Sequence, residues 1–233
     1  VPDLVTSNLI LHLDANNTNS YPGSGTTWSD LSGNGNNFSI NSNAYQSGTP
    51  SYMDFNGAYG MAKTSTDISL SDTTGVTYFV ITRVKPINVE WRTLTRSYTA
   101  DHHVIIQSGG EPLGMYDNDG AGFISAGVNQ STFPDYNTSN WTMLYWRWQS
   151  ISPYYQFSWN NTPDTIRGSI TSTSGRYNRG FGSLGGYHGG STSPDVGSQP
   201  WGDISVFMAY NTYLTDSQLL QNYNHYKSIY GLT

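Results

Sequence analysis

Hydrophobic residues occupy alternate positions in short runs along most of the chain. In residues 8–14 (NLILHLD), three leucines stand at every second position, with Ile10 and His12 between them. Similar runs, dense in β-branched and aromatic residues, span residues 76–85, 103–107, 122–128, 141–149, 154–160 and 202–211. Clusters of Gly, Asn, Ser and Asp separate these runs. Strands at this spacing, with turn residues between them, predict an all-β fold of antiparallel sheets, either a sandwich or a barrel.

The run at residues 141–148 has large apolar groups on both of its faces. Trp141, Met143 and Tyr145 alternate with Leu144 and Trp146. Because neighbouring residues of a strand point to opposite faces, both faces of this strand have to be covered. The pattern predicts a strand that is central to a two-layer stack.

Residues 215–230 follow a helical period instead. Their apolar positions are Leu219, Leu220, Tyr223, Tyr226 and Tyr230. Thr215 and Gln218 have the spacing of a capping box, and Gly231 suits the position that follows the last turn of a helix. One C-terminal amphipathic helix, packed against the sandwich, is therefore predicted.

Composition narrows the class of protein. Charged residues make up 11% of the chain, with a net charge of −6, against about 25% in an average domain. Ser, Thr and Asn together supply 76 of the 233 residues. The basic residues form no stripe that would neutralise phosphates, so nucleic acid is not expected as a partner. No apolar run approaches the roughly 18 residues of a membrane span, so no membrane insertion is expected.

The number of Cys residues and the number of glycosylation sequons both bear on the cellular location of the protein. The chain has no Cys, which removes disulfides and thiolate chemistry together. Six Asn-x-Ser/Thr sequons permit a glycosylated surface. They stand at Asn16, Asn37, Asn129, Asn137, Asn140 and Asn160. No stretch has the composition of a linker, so one domain over residues 1–233 is predicted.

Several motifs in this order resemble one family. The chain opens with residues 11–15 (LHLDA) and 20–37 (SYPGSGTTWSDLSGNGNN), continues with 54–57 (DFNG), and closes with 202–204 (GDI), 210–211 (YN), 214–216 (LTD) and 230–231 (YG). Together they are similar to the concanavalin A-like, laminin-G-like domains found on virions, phage tails and bacterial surface proteins. The resemblance spans nearly the whole chain, and residues 90–112 and 185–200 depart from it.

The resemblance implies a two-sheet antiparallel jelly-roll sandwich and an extracellular, cell-surface or virion-surface location. It does not imply a substrate, since this fold is shared by lectins, hydrolases and structural modules. Two functions are therefore kept open. One is a lectin-like module that binds glycans or cell-surface polysaccharide. The other is a structural subunit of a capsid, fibre or filament that assembles through the sandwich, which low charge and many tyrosines favour.

Catalysis is not expected from the acidic residues. Retaining glycosidases use two carboxylates about 5 Å apart, and Glu90 and Glu111 do not form such a pair in sequence. Residues 117–120 (DNDG) are first a hairpin turn. His102 and His103 are adjacent, so a strand would point them to opposite faces. The sequence analysis thus predicts that the chain is not an enzyme.

Structural calcium is a further hypothesis, with Asp14, Asp30 and Asn34 as its candidate ligands. The alternative is that Asp14 and Asp30 form Asx turns that fix the loops they open.

Glycan binding needs an aromatic platform and planar polar side chains. The candidate residues for it are Tyr187, His188, Asp195, Trp201, Trp91, Asp117 and Asp119. Tyr187 and His188 lie between two Gly-Gly pairs and are the best exposed pair. A Trp in such a fold is more often part of the core, which is the alternative for Trp91 and Trp201.

Overall fold

The strands that the structure contains follow the alternating runs of the sequence. The structure is a computed structural model, and it describes residues 1–70, 75–84, 91–98, 102–107, 112–117, 122–129, 140–151, 154–159, 168–170, 180–187 and 198–232. Within these ranges the strands are β1 Leu9–Asp14, β2 Thr27–Trp28, β3 Phe38–Ser39, β4 Tyr45–Gln46, β5 Tyr52–Phe55, β6 Ala62–Ile68, β7 Val76–Arg83, β8 Arg92–Arg96, β9 His102–Ile106, β10 Pro112–Asp117, β11 Gly122–Asn129, β12 Thr142–Trp148, β13 Tyr155–Trp159, β14 Gly168–Ile170, β15 Phe181–Leu184 and β16 Gly202–Tyr210. The helix α1 spans Asp216–Tyr230.

Two antiparallel sheets form a sandwich, which confirms the predicted fold class. Sheet A has the order β14-β13-β12-β7-β16-β5-β4, and β1 pairs with β16 beside β5. Sheet B has the order β11-β10-β9-β8-β15-β6-β3-β2. Seven of the fourteen neighbouring pairs in these orders join strands that are not consecutive along the chain, so both sheets depend on contacts between distant segments. The extent of the domain over residues 1–233 stays a prediction.

The two sheets enclose an aromatic core. Tyr78 on β7 places its ring 4.6 Å from the ring of Trp146, its neighbour in sheet A. The same ring lies 5.1 Å from that of Phe181 in sheet B. Rings at these distances and tilts stabilise one another beyond the burial of their area. The inner apolar face of each sheet is therefore covered by the other sheet.

The second face of sheet A is covered by α1. Met143 and Tyr145 of β12 pack with Tyr226 and Tyr230 of the helix in one buried cluster. Trp146, from the opposite face of the same strand, belongs to the core between the sheets. The prediction that both faces of this strand are covered is confirmed, and the order of layers is sheet B, sheet A, helix.

The ends of α1 have the predicted caps. The Thr215 hydroxyl accepts a hydrogen bond from the Gln218 N–H, and the Gln218 side chain accepts one from the Thr215 N–H. Gly231 follows the helix with φ 61°, in the left-handed region that favours glycine. The N-terminal segment is tied to the same helix, since the Val5 N–H donates to Asn222 Oδ1 at 2.9 Å. None of the helices in the described ranges is long and apolar enough to cross a bilayer.

Candidate functional site

The outer face of sheet B carries a row of directly opposed side chains. The register pairs Phe123 with Tyr116, Tyr116 with His102, His102 with Arg96, Arg96 with Ser183, and Ser183 with Lys63. Directly opposed residues on neighbouring strands share a face of the sheet. Six strands, from β11 to β6, thus contribute one side chain each to a continuous line across the sheet.

Aromatic rings form a chain along one end of this row. The Trp91 ring lies 5.7 Å from the Phe123 ring and 5.6 Å from the Tyr116 ring, edge to face in both cases. The His102 ring lies 6.0 Å from Tyr116 and 5.7 Å from Tyr187. The contacts between neighbouring rings restrict their orientations, so this aromatic platform is ordered in the absence of a ligand.

A cavity of about 220 Å³ opens between these side chains. It is lined by Trp91, Arg96, His102, Ile105, Tyr116, Tyr187 and Gln199. The lining combines flat aromatic surface with a guanidinium, an imidazole and an amide. Sites for small molecules place polar groups of this kind beside aromatic side chains.

Polar contacts fix the orientation of the groups in the wall. The Thr93 hydroxyl donates to Gln199 Oε1 at 2.7 Å and lies 2.8 Å from His102 Nδ1. Because a hydroxyl has one proton to donate, the proton of the second bond lies on His102 Nδ1. The Arg96 guanidinium carbon lies 4.1 Å from the centre of the Tyr187 ring, a stacked cation–π contact.

The backbone holds Tyr187 against sheet B from two sides. Tyr187 and Ser198 exchange backbone hydrogen bonds of 2.7 and 2.8 Å. The Gly185 N–H donates to the Leu94 carbonyl at 2.8 Å. Gly185 has φ +83°, and a Cβ there would lie 2.3 Å from the Phe55 ring, so the position requires glycine. Both ends of the segment that joins Tyr187 to Ser198 are thus anchored on the sheet.

The structure unites two of the predicted glycan-binding residues. Tyr187 and Trp91 line the same cavity although they are far apart in sequence. Asp117 follows Tyr116 on β10 and is buried. His188, Asp195 and Asp119 lie outside the described residues.

Trp201 is not a rim residue. Its side chain is fully buried in the core between the sheets, and its Nε1–H donates to the Thr82 hydroxyl at 3.0 Å. The reason is its place directly before β16, where the chain enters the centre of sheet A. The alternative that this Trp belongs to the core is the correct one.

Five of the lining residues were not among the predicted ones: Arg96, His102, Ile105, Tyr116 and Gln199. His102 was considered only for catalysis, together with His103. The predicted separation of these two is confirmed: His102 faces the cavity, whereas His103 Nδ1 lies 2.9 Å from the Tyr78 hydroxyl in the core. Burial lowers the pKa of His103 to about 3.

Two charged groups contact Tyr98, which follows Arg96 and Ser97 in the chain. Burial lowers the pKa of the Lys63 ammonium, which stands 4.8 Å from the centre of the Tyr98 ring. Burial raises the pKa of the Asp67 carboxyl, against the opposing effects of the Tyr98 N–H bond and the charge of Arg96. Burial thus acts against the charged form of both groups.

The proposed calcium ligands hold loops in this structure. Asp30 accepts four hydrogen bonds, from the backbone N–H groups of His12, Ser32 and Asn36 and from the Ser32 hydroxyl, at 2.8–3.0 Å. Asp14 Oδ1 accepts the Asn16 N–H at 2.9 Å. The Asn34 amide donates to the Leu9 carbonyl at 3.1 Å. Within the described ranges, three or more His, Asp or Glu side chains do not converge anywhere in a way that could hold a metal ion. Calcium stays a prediction.

The Asn side chains of the described sequons differ in their hydrogen bonds and in their exposure. Asn16 Nδ2 donates to Ser205 Oγ at 2.9 Å and to the Tyr230 hydroxyl, so a glycan on this atom would break both bonds. Asn37 Oδ1 accepts the Asp30 N–H at 2.9 Å. Asn129 and Asn140 are exposed. Asn137 and Asn160 lie outside the described residues, and use of the sequons stays a prediction.

Solved structures with the same fold include a sialidase and an arabinanase domain. Trypanosoma rangeli sialidase in complex with sialic acid matches with a TM-score of 0.61 at 10% identity, over 95% of this chain and 33% of the sialidase. Domain 4 of the extracellular arabinanase AbnA from Geobacillus stearothermophilus, in complex with arabinotriose, matches with a TM-score of 0.56 at 17% identity, over 91% of this chain and 97% of that one. A tryptophan-to-alanine mutant of HCR/D matches with a TM-score of 0.60 at 13% identity, over 98% and 55%.

These likenesses show the fold, a β-sandwich shared with glycan-active proteins. The chain spans about a third of the length of the sialidases that it matches. No protein-family model and no curated protein matches the sequence. The assignment to the laminin-G-like family stays a prediction.

The comparisons contradict the prediction that the chain is not an enzyme. That prediction rested on the lack of a carboxylate pair in sequence, on the turn at residues 117–120 and on the opposed His102 and His103, and Glu90 and Glu111 lie outside the described residues. One third of a sialidase chain matches this fold, and sialidases use a Tyr nucleophile instead of the usual carboxylate. A search for paired glutamates alone is therefore not a sufficient test for a glycoside hydrolase.

Proposed function

We propose that the chain binds carbohydrate in the cavity on the outer face of sheet B. The observation that supports this most is the joining of Trp91, Tyr116 and Tyr187 with the polar groups of Arg96 and Gln199 in one lining. The apolar C–H face of a sugar packs on an aromatic ring, while planar polar side chains bond its hydroxyls.

The geometry suits a ligand of modest size. Pockets for drug-sized molecules have volumes of about 300–1,000 Å³, and this cavity is smaller, at about 220 Å³. It therefore suits one sugar unit, with the remainder of a longer glycan lying along the row of side chains. The fixed rings and the Thr93–His102–Gln199 contacts reduce the ordering cost of binding.

The comparisons support the same class of ligand. A sialidase and an arabinanase domain of this fold are solved with sialic acid and with arabinotriose, respectively. Recognition of glycans suits a protein on the outside of a cell or virion, and that location is part of the proposal. Assembly into a capsid, fibre or filament stays a prediction, and sedimentation of the purified protein tests it.

A glycan array with the folded chain tests the proposal. We expect a defined set of glycans to bind, and we expect Tyr187→Ala to weaken binding at least tenfold because it removes a wall of the cavity and the ring that Arg96 stacks on. The matched control is Tyr154→Ala, a half-buried tyrosine that precedes β13 in sheet A and is not among the lining residues. A blank array with folded protein, or equal losses in the two variants, would refute the proposal.

A further inference from the structure

We infer that the sugar bound in this cavity carries an acetamido group, as N-acetylhexosamines do. This inference rests on the proposed function and adds the class of sugar to it. It starts from the side chains of Gln199 and Ile105, which line the cavity together with its aromatic rings. These two residues offer hydrogen-bond donors beside an apolar surface, and an acetamido group has the matching carbonyl and methyl.

The amide of Gln199 is held in one orientation. Its Oε1 accepts the Thr93 hydroxyl at 2.7 Å, and its backbone carbonyl accepts the Thr93 N–H at 3.0 Å. Because Oε1 is turned to Thr93, the groups that this side chain can offer a ligand are the two N–H donors of Nε2. Such donors select a ligand group with an acceptor oxygen, and the carbonyl oxygen of an amide accepts hydrogen bonds and donates none.

The backbone of Gln199 supports a role in binding. Its φ is 54°, in the left-handed region that residues other than glycine rarely adopt. Such a conformation costs free energy and persists where surrounding contacts enforce it, and it is frequent at active sites and ligand clamps. Here the contacts are the two bonds to Thr93 and the paired backbone bonds between Tyr187 and Ser198, the residue before Gln199. These contacts keep Gln199 at the cavity.

Ile105 provides an apolar surface beside this amide. It is 1% exposed and, in the described part of the chain, belongs neither to the core between the sheets nor to the cluster under α1. It is the direct partner of Thr93 across β8 and β9, and directly opposed residues share a face of the sheet. The residue that fixes the Gln199 amide therefore stands next to Ile105.

The two features select the same substituent. An acetamido group carries its carbonyl oxygen and its methyl on one planar unit, so it can accept from Gln199 and pack on Ile105 at once. A sugar hydroxyl pressed against Ile105 would lose hydrogen bonds to water, whereas a methyl group has none to lose. A sugar with an acetamido group is therefore preferred over one with a hydroxyl at the same carbon.

An array of matched glycans tests the inference on the unmodified chain. The members of each pair differ at one carbon, which carries an acetamido group or a hydroxyl, as in N-acetylglucosamine and glucose or N-acetylgalactosamine and galactose. We expect the acetamido members to bind and the hydroxyl members to bind at least tenfold more weakly. A blank array refutes the proposed function itself. Hydroxyl members that bind as well as, or better than, their partners refute only the acetamido group.

A change in the ligand tests the contact with Ile105. Replacing the acetamido group by a formamido group removes the methyl and keeps the carbonyl. We expect this change to weaken binding to the unmodified chain about fourfold, the effect of one buried methyl-sized group. A formamido ligand that binds as well as the acetamido one refutes this contact.

A change in the protein tests the donor. Gln199→Glu keeps an oxygen for the Thr93 hydroxyl and replaces the N–H donors by an acceptor, so we expect it to abolish the preference for the acetamido member. The matched control is Gln46→Glu, the same change on β4 of sheet A, at a residue that does not line the cavity. It should keep the preference, and equal preferences in the two variants refute the role of Gln199. The paired array on the unmodified chain decides the class of sugar even if Gln199→Glu does not fold.

Discussion

The outer faces of sheet A and sheet B both carry aromatic residues, but the first packs against α1 and the second lines a cavity. On sheet A, Tyr145, Met143 and Tyr210 are sealed under α1. On sheet B, Trp91, Tyr116 and Tyr187 surround an open cavity. Aromatic content alone therefore does not distinguish a core from a site. Within the described parts of the chain, what distinguishes them is that α1 covers the face of sheet A.

Arginine shows the same difference between the two faces. Arg147 on sheet A donates to Gln156 Oε1 at 2.8 Å and to the Leu214 carbonyl at 2.9 Å, and it pairs with Asp216 at 2.6 Å. These contacts fasten the start of the helix to the sheet. Arg96 on sheet B stacks on a tyrosine in the wall of a cavity instead. Arg147 fastens the helix to its face, whereas Arg96 lines the cavity of the proposed glycan site.

The largest expected difference between the faces is in stability. Tyr226→Ala removes a ring that is 2% exposed under the helix, and we expect it to lower the free energy of unfolding by about 4 kcal/mol. Tyr187→Ala, on the open face, is expected to cost less than about 1 kcal/mol. Urea denaturation of the two variants measures both values.

A conservative variant separates the ring from its hydroxyl. Tyr226→Phe keeps the packing and loses the contact between the hydroxyl and His12 Nε2, 3.1 Å apart, so a cost of about 1 kcal/mol is expected. Equal losses in Tyr226→Ala and Tyr187→Ala would contradict the distinction between a sealed and an open face.

The sealed face is also expected to weaken in acid. Burial under the helix lowers the pKa of His12 from 6.5 to about 4, with the charge of Asp30 opposing this and that of His225 adding to it. The unfolded chain therefore takes up the proton first as the pH falls. The contribution of His12 is complete above pH 6.5, decreases between pH 6.5 and 4, and amounts to about 3 kcal/mol in total.

Urea denaturation at a series of pH values checks this dependence. His12→Gln removes the titrating group, so its stability should fall less than that of the unmodified chain between pH 6.5 and 4. Above pH 7 the two curves should run parallel, separated by a constant cost of the substitution. Parallel curves over the whole range would show that His12 does not titrate in the predicted way.

A smaller effect than that of Tyr226→Ala is expected at the rim of the face that α1 covers. Asn16 joins three segments, because its amide donates to Ser205 Oγ and the Tyr230 hydroxyl and its Oδ1 accepts the Ser51 N–H at 2.7 Å. Asn16→Ala is expected to cost about 1–2 kcal/mol. Thermal melts that place it level with Asn19→Ala, an exposed position in the same loop, would contradict this role.

The strands and the helix were predictable where the local pattern is strong. The runs at residues 76–85, 141–149 and 202–211 became β7, β12 and β16, which are buried on both faces and therefore dense in apolar residues. The capping box at Thr215 depends on residues three apart and needs no distant partner. Strands such as β2 and β3, each two residues long, have too few positions to show alternation.

The site was predictable only in part. Tyr187 stood out because glycines flank it, and Trp91 was named because a glycan site needs an aromatic platform. Arg96 and His102 gave no such signal, since a basic residue at the end of a polar strand has the same local pattern whether it faces solvent or a cavity. Arg96 and His102 come into contact with the other lining residues through the register of β8, β9 and β10, which pairs Arg96 with His102 and His102 with Tyr116.

The sequence by itself determined the class of fold, the C-terminal helix and its caps, and the presence of more aromatic rings than one core requires, because these follow from local periodicity and composition. The tertiary structure decided which rings are sealed and which remain open. The helix covers one face of sheet A, and the strand order of sheet B brings Trp91, Arg96 and Tyr187 to one cavity. Which rings are covered depends on contacts between distant parts of the chain, and no local sequence pattern predicts those contacts.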